Sequence, residues 1–168
     1  GLLVPTQQVS YLGVLQQALR DVSAWVEDWV EPPATSHYAV VDGQVQVPAT
    51  AAERRGIQPV ITLLANGAAR AEVKVGEPVQ LSATIQVPEG TGKPVKADWD
   101  FDGKGTFATP ANLADQNGNS LTLNSTHNYD AAGTYFVNLR VASQRNGDTH
   151  SPYARIQNLG RVRIVVRD

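Results

Sequence analysis

The sequence predicts a mainly β protein: an antiparallel β-sandwich, preceded by one amphipathic α-helix and a connector. Three observations carry this reading. Tyr135, Val137, Leu139 and Val141 alternate with Thr134, Asn138 and Arg140, and a period of two marks a half-buried strand. From Ile57 onward, β-prone runs near 57–64, 71–75, 79–87, 94–101, 120–128, 134–144 and 153–166 are separated by turn formers such as Asn66-Gly67, Gly76-Glu77-Pro78 and Asn146-Gly147-Asp148. Short strands at this spacing, with no helix between them, suit an antiparallel sandwich. Before Ile57 the period is different.

Between Gln7 and Val30 the apolar residues Leu12, Leu15, Leu19, Val22, Trp25, Val26 and Trp29 recur at spacings of three and four, one stripe of a helix. Thr6 is the expected N-cap, and Pro32-Pro33 the expected stop. Burying a large apolar side chain is worth about 1.5–3 kcal/mol, so the stripe must be covered. It either packs on the rest of this chain or serves a partner, through self-association or an upstream domain of the same polypeptide. Residues 34–56 read as a connector, in which Asp42-Gly43 turns a small hairpin. The expected organisation is therefore a helix in 1–33, a connector in 34–56 and a sandwich in 57–168. Within the sandwich, 108–119 is the longest irregular stretch.

Composition narrows the function classes. The 168 residues are 42% hydrophobic and 18% charged, with a formal net charge of −2, which gives no electrostatic case for nucleic acid. No apolar run approaches the roughly 20 residues of a membrane span. The chain has no cysteine, so disulfides and thiolate metal sites are excluded. It also has no methionine, position 1 included, which is expected of a processed product or of a piece excised from a longer protein, the second being the preferred reading.

Two separated motifs carry a family likeness. Asp98-Trp99-Asp100-Phe101-Asp102-Gly103 is followed by His127-x-Tyr129-x-x-x-Gly133-Thr134-Tyr135-x-Val137-x-Leu139-x-Val141. Together they resemble the PKD domain, an immunoglobulin-like module of surface proteins that also accompanies many microbial hydrolases. The resemblance covers about residues 57–167 and implies an Ig-like sandwich. Trp99 and Phe101 would then alternate inward, with Trp99 in the core position beside which Ig domains carry their disulfide. Tyr129 would form a tyrosine corner, Gly133 would supply a backbone conformation awkward for a side chain, and His127 would hydrogen-bond structurally. Tyr135 completes the signature. The acidic turn Asp102-Gly103-Lys104-Gly105-Thr106 is longer than the family's Gly-Asp-Gly. The resemblance also implies a non-catalytic accessory domain for protein or carbohydrate interaction or spacing, in an extracellular, surface or periplasmic setting.

Residues 1–33, from Leu19 to Pro33 above all, are similar to the last helix and exit of an α/β-hydrolase or tannase-like esterase. That implies the alternative function, the C-terminal fragment of an esterase whose catalytic residues lie upstream. No Gly-x-Ser-x-Gly elbow occurs in this chain, so the chain itself is expected to be inactive.

Other chemistry is sparse. Asp98, Asp100, Asp102 and Gly103 match the start of a calcium loop, but position seven is Lys104 and position twelve Thr109. A solvated acidic face is the main reading and a calcium site the alternative. His37, His127 and His150 lie on separate segments, with no spacing that suggests zinc. Gly103-Lys104-Gly105-Thr106 lacks the upstream glycine of a phosphate loop. Arg155, Arg161, Arg163 and Arg167 read as a charged outer face that guards a sheet edge. Phe136 points away from the expected core, to pack under a loop or against the helix, or else to serve surface recognition.

Overall fold

A computed structural model describes residues 8–168. The expected N-cap Thr6 lies outside the described residues. Helix α1 spans Leu12–Asp28 and starts without a side-chain cap from Tyr11, the Ser10 hydroxyl instead accepting the Leu12 N–H at 3.3 Å. It ends earlier than the prolines suggest. Trp29 adopts a left-handed conformation (φ 57°), and the Trp29 and Val30 N–H groups close back onto the carbonyls of Trp25 and Ala24. This Schellman-type closure satisfies the terminal carbonyls, leaving Pro32 in the exit segment.

The connector holds strands β1 (Ala39–Val41) and β2 (Gln44–Gln46), then a single-turn helix α2 (Ala51–Arg54) capped by Thr50. Asp42 and Gly43 both have positive φ, the conformation that a two-residue hairpin turn requires.

Nine strands build the rest. They are β3 (Val60–Ala65), β4 (Arg70–Lys74), β5 (Val79–Gln86), β6 (Lys93–Asp100), β7 (Thr109–Pro110), β8 (Gln116–Asn117), β9 (Ser120–His127), β10 (Gly133–Gln144) and β11 (Ile156–Arg167). One sheet has the order β4-β11-β10-β6-β7 and the other β3-β5-β9-β8. The short pairs β7 and β8 put order into the stretch that reads as irregular. All pairings are antiparallel except β4 with β11. After β3 the chain turns at Asn66-Gly67, both at positive φ, and passes to the other sheet, where β4 runs beside the last strand.

The inner faces supply one core. Leu81, Ile85, Leu121, Leu139, Val141, Val162 and Ile164 are fully buried, and the Trp99 side chain is 3% exposed among them. Gly160 lets β3 approach β11 closely, since a Cβ there would meet the Ile61 side chain. The arginine stripe does not guard an edge, because β11 has β10 on one side and β4 on the other. Arg167 instead pairs with Glu72 across the β4–β11 contact, and Arg161 lies 4.0 Å over the Phe136 ring. Phe136 therefore packs beneath an outward arginine of its own sheet and, as expected of a loop contact, against the acidic turn, where a Cβ on Gly103 would lie 3.3 Å from the Phe136 Cβ; the helix takes no part.

Candidate functional site

Two constellations stand out, one at the end of the sandwich and one on the helix. At the end of the sandwich, five rings form a continuous stack across both sheets. Trp99 and Phe101, leaving β6, have centroids 5.6 Å apart, and Phe101 lies 4.4 Å from His127 with planes 3° apart. His127, at the end of β9, meets Tyr129 edge-on at 4.7 Å, and Tyr129 lies 4.1 Å from Tyr135 in β10. Offset and edge-to-face pairs of this kind add about 0.5–1.5 kcal/mol each beyond their buried area.

Hydrogen bonds fix the stack. The buried Tyr129 hydroxyl donates to the Phe101 carbonyl at 2.9 Å, while the Tyr129 carbonyl accepts the Gly76 N–H. Tyr129 thus ties its corner to the acidic turn 28 residues earlier, not to the backbone close by. The short-range corner bond belongs to Tyr135, whose hydroxyl donates to Ala131 O at 3.0 Å. Burial, first of all, raises the Tyr129 phenol well above its usual 10, and nearby Asp102 adds to this. Burial likewise lowers His127 from 6.5, against the opposing pull of Asp102 and Asp130. Among the described residues His127 makes ring contacts with Phe101 and Tyr129 and not the expected side-chain hydrogen bond. Gly133 is also corrected: its φ lies outside the left-handed region, and a Cβ would only touch Tyr135 at 3.5 Å.

Beside the stack lies the acidic turn, whose three carboxylates have three separate tasks. Asp100 is 4% exposed, and its oxygens accept the N–H groups of Gly103, Lys104 and Gly105 at 3.1, 3.2 and 2.8 Å. Asp98, also 4% exposed, sits between Lys96 Nζ at 3.3 Å and an Arg140 nitrogen at 3.4 Å. Asp102 pairs with Lys104 at 2.9 Å and raises that ammonium's pKa through the hydrogen bond. The face is neither solvated throughout nor convergent. Among the described residues, no cluster of three or more His, Cys, Asp or Glu side chains could hold a metal ion. His37, His127 and His150 do not meet.

A family model of the PKD domain matches residues 64–151, just over half of the chain. The chain belongs to the PKD domain family. No curated protein matches it. The sandwich of this PKD domain extends past the matched residues on both sides, from Val60 in β3 to Arg167 in β11.

The second constellation is α1, which docks on the sandwich through the face opposite its apolar stripe, so that of the two expected fates of the stripe the outward one holds. Its contact with the PKD sandwich is made by Gly13, Gln16, Gln17, Arg20 and Asp21, residues of its polar face. Gly13 lies against the Arg155 backbone so closely that a Cβ would overlap the Arg155 carbonyl. Gln16 accepts the Ala154 N–H at 2.8 Å, and Gln17 is 3% exposed and bonded to Asp21. Asp21 takes a two-pronged pair from Arg145 at 3.0 and 3.1 Å, and the Arg20 guanidinium covers the Tyr153 ring at 4.5 Å. The apolar stripe therefore faces outward: Leu12, Leu15, Leu19, Val22, Trp25, Val26 and Trp29 are all exposed, Leu19 at 69% and Trp29 at 84%. The hairpin adds exposed Tyr38, Val40, Val41 and Val45.

The sequence reading missed the contacts that turn the helix. Gly13 stands at helical spacing with Gln16, Gln17, Arg20 and Asp21, a small-and-polar stripe on the face opposite the leucines. That stripe was the available signal. No described helix is long and apolar enough to cross a membrane.

Proposed function

We propose that this chain is a non-catalytic accessory module that works by protein contact, with the outward face of α1 as its contact surface. One observation carries the reading: a helix held by its polar face presents seven large apolar side chains to solvent. With Tyr11 and Val30 they expose an area on the order of 1,000 Å², above the roughly 300–600 Å² of the largest patch on a typical monomer and near the roughly 800 Å² per partner of a standard interface. A protein partner suits this surface better than a carbohydrate. A groove of about 910 Å³ between α2, residues 86–93 and residues 118–120 has no aromatic side chain in its lining on which a sugar ring could stack.

The outward stripe also supports a second reading. A helix whose apolar face belongs to another domain is what the likeness of residues 1–33 to the last helix of an α/β-hydrolase implies. The module would then be the tail of an esterase whose nucleophile lies upstream, in the extracellular or surface setting common to PKD domains.

The Leu15→Glu/Leu19→Glu double variant tests the contact surface. Both side chains point away from the sandwich, so unfolding free energy should change by less than about 0.5 kcal/mol per site. Self-association and binding of an apolar dye by the parent chain should both be lost. A dye-free, strictly monomeric parent chain would remove the basis of the reading. Turnover of p-nitrophenyl esters by this chain would contradict the assignment of catalysis to upstream residues.

A further inference from the structure

We propose that the outer face of the five-stranded sheet carries a binding site for one small oxyanion, phosphate or carboxylate, centred on Ala142. The site arises from strand register. Ala142 lies opposite Lys96 on β6 and opposite Gln157 on β11. Arg140 lies opposite Asp98 in the next row, and Arg155 enters from the residues just before β11. A methyl group surrounded by five long or charged side chains leaves a depression of about 80 Å³. The register also shifts between Ala142 and Ser143 at this point, which breaks the regular ladder at the cleft.

The chemistry of the lining favours an anion. Three cations, Lys96, Arg140 and Arg155, face a single carboxylate, so the cleft carries a net charge of about +2. That carboxylate is already engaged, with Lys96 and Arg140 on one Asp98 oxygen. Arg155 forms no ion pair among the described residues. One of its terminal nitrogens donates to Thr149 O at 2.7 Å, whereas its Nε–H is buried without an acceptor. A buried donor of a charged group left without an acceptor is costly, and an oxyanion oxygen would satisfy it. Gln157 also lines the depression; its Oε1 accepts the Ser10 N–H at 3.1 Å, so its NH₂ group is the end available to donate to an anion. The depression has room for one oxyanion and no aromatic wall for a larger ligand, so the recognised element is the charged group itself.

Nitrogen–proton NMR on the whole chain, following the Arg155 Nε–H and Gln157 NH₂ signals, tests this. Inorganic phosphate and glucuronate are titrated separately at fixed ionic strength, with chloride as the balancing anion. The expected result is a saturable shift of both signals. Saturation by phosphate alone identifies phosphoryl groups as the ligand class, and saturation by glucuronate alone identifies carboxylates. Ala142→Leu fills the depression without changing a charge and should weaken binding at least tenfold. Lys96→Gln removes a half-exposed charge remote from the core and should weaken it about threefold or more, which keeps the test alive if Ala142→Leu misfolds. Linear, non-saturating shifts, or titration curves unchanged in the folded variants, would overturn the site.

Discussion

Asp100 illustrates how one side chain can hold a loop that its sequence advertises as something else. In the alternating strand Trp99 goes inward and Asp100 outward, where a carboxylate reads as solvated or as a cation ligand. The turn at 103–105 folds back over it, and three N–H groups converge on its two oxygens. Hydrogen bonds to a charged acceptor are worth about 1.5–3 kcal/mol each, though a shared acceptor makes them less than additive. Asp100→Ala should therefore cost about 3 kcal/mol in urea unfolding. Asp100→Asn, which keeps one acceptor oxygen but turns an NH₂ toward a backbone donor, should cost about half as much. A loss below about 1 kcal/mol for the alanine variant would show that the turn holds itself. Because these oxygens are already occupied, millimolar calcium should leave the Tm of the parent protein unchanged. The pattern Asp-x-x-Gly-x-Gly was readable in advance. Its meaning was not, since alternation assigns a face and says nothing of what folds over that face.

Helix α1 separates what periodicity can and cannot report. Spacings of three and four established the helix and its stripe, because burial of an apolar face is the commonest reason for such a pattern. They could not reveal that the other face is the docked one. That depends on Arg145, 124 residues away from Asp21, and on a glycine whose lack of a side chain permits close approach. Gly13→Ala makes the conflict measurable. Alanine should favour the isolated helix by about 1 kcal/mol, yet its methyl group has no space against the Arg155 carbonyl. The helix should remain helical by circular dichroism but lift from the sandwich. The Ala154 N–H, bonded to Gln16, should then exchange faster, and the connector at 30–38 should be cleaved sooner by protease. Unchanged protection of Ala154 together with a stabilised protein would mean that the helix can slide to accept the methyl.

At the scale of the whole molecule, a sandwich without a disulfide fastens one end of its two sheets with aromatic rings, and burial shifts the pKa of two of them, His127 and Tyr129. The strands and their alternation were legible, and the family motif named the members of the stack. Their mutual arrangement was not legible, because it joins residues 99–101, 127–129 and 135 from three strands. The arrangement makes stability depend on pH from both sides. His127 is lowered from 6.5 chiefly by burial, so the folded state prefers the neutral ring. Its contribution is fully present above about pH 6.5 and is lost as pH falls from there through the depressed folded value, because the unfolded chain takes up the proton first. Tyr129 is raised above 10, again chiefly by burial, so its contribution is complete below about pH 10 and drains away at higher pH, where the unfolded phenol ionises first. Unfolding free energy measured by urea at a series of pH values should show a plateau between these limits with a shoulder at each end. His127→Phe, which keeps a flat ring beside Phe101, should erase the acid shoulder attributable to this ring and leave the alkaline one. Tyr129→Phe should do the converse and also lower the plateau by about 1 kcal/mol, because the Phe101 carbonyl loses its donor. If both variants retain both shoulders, the pH dependence arises outside the stack, and the rings hold the sheets together by packing alone.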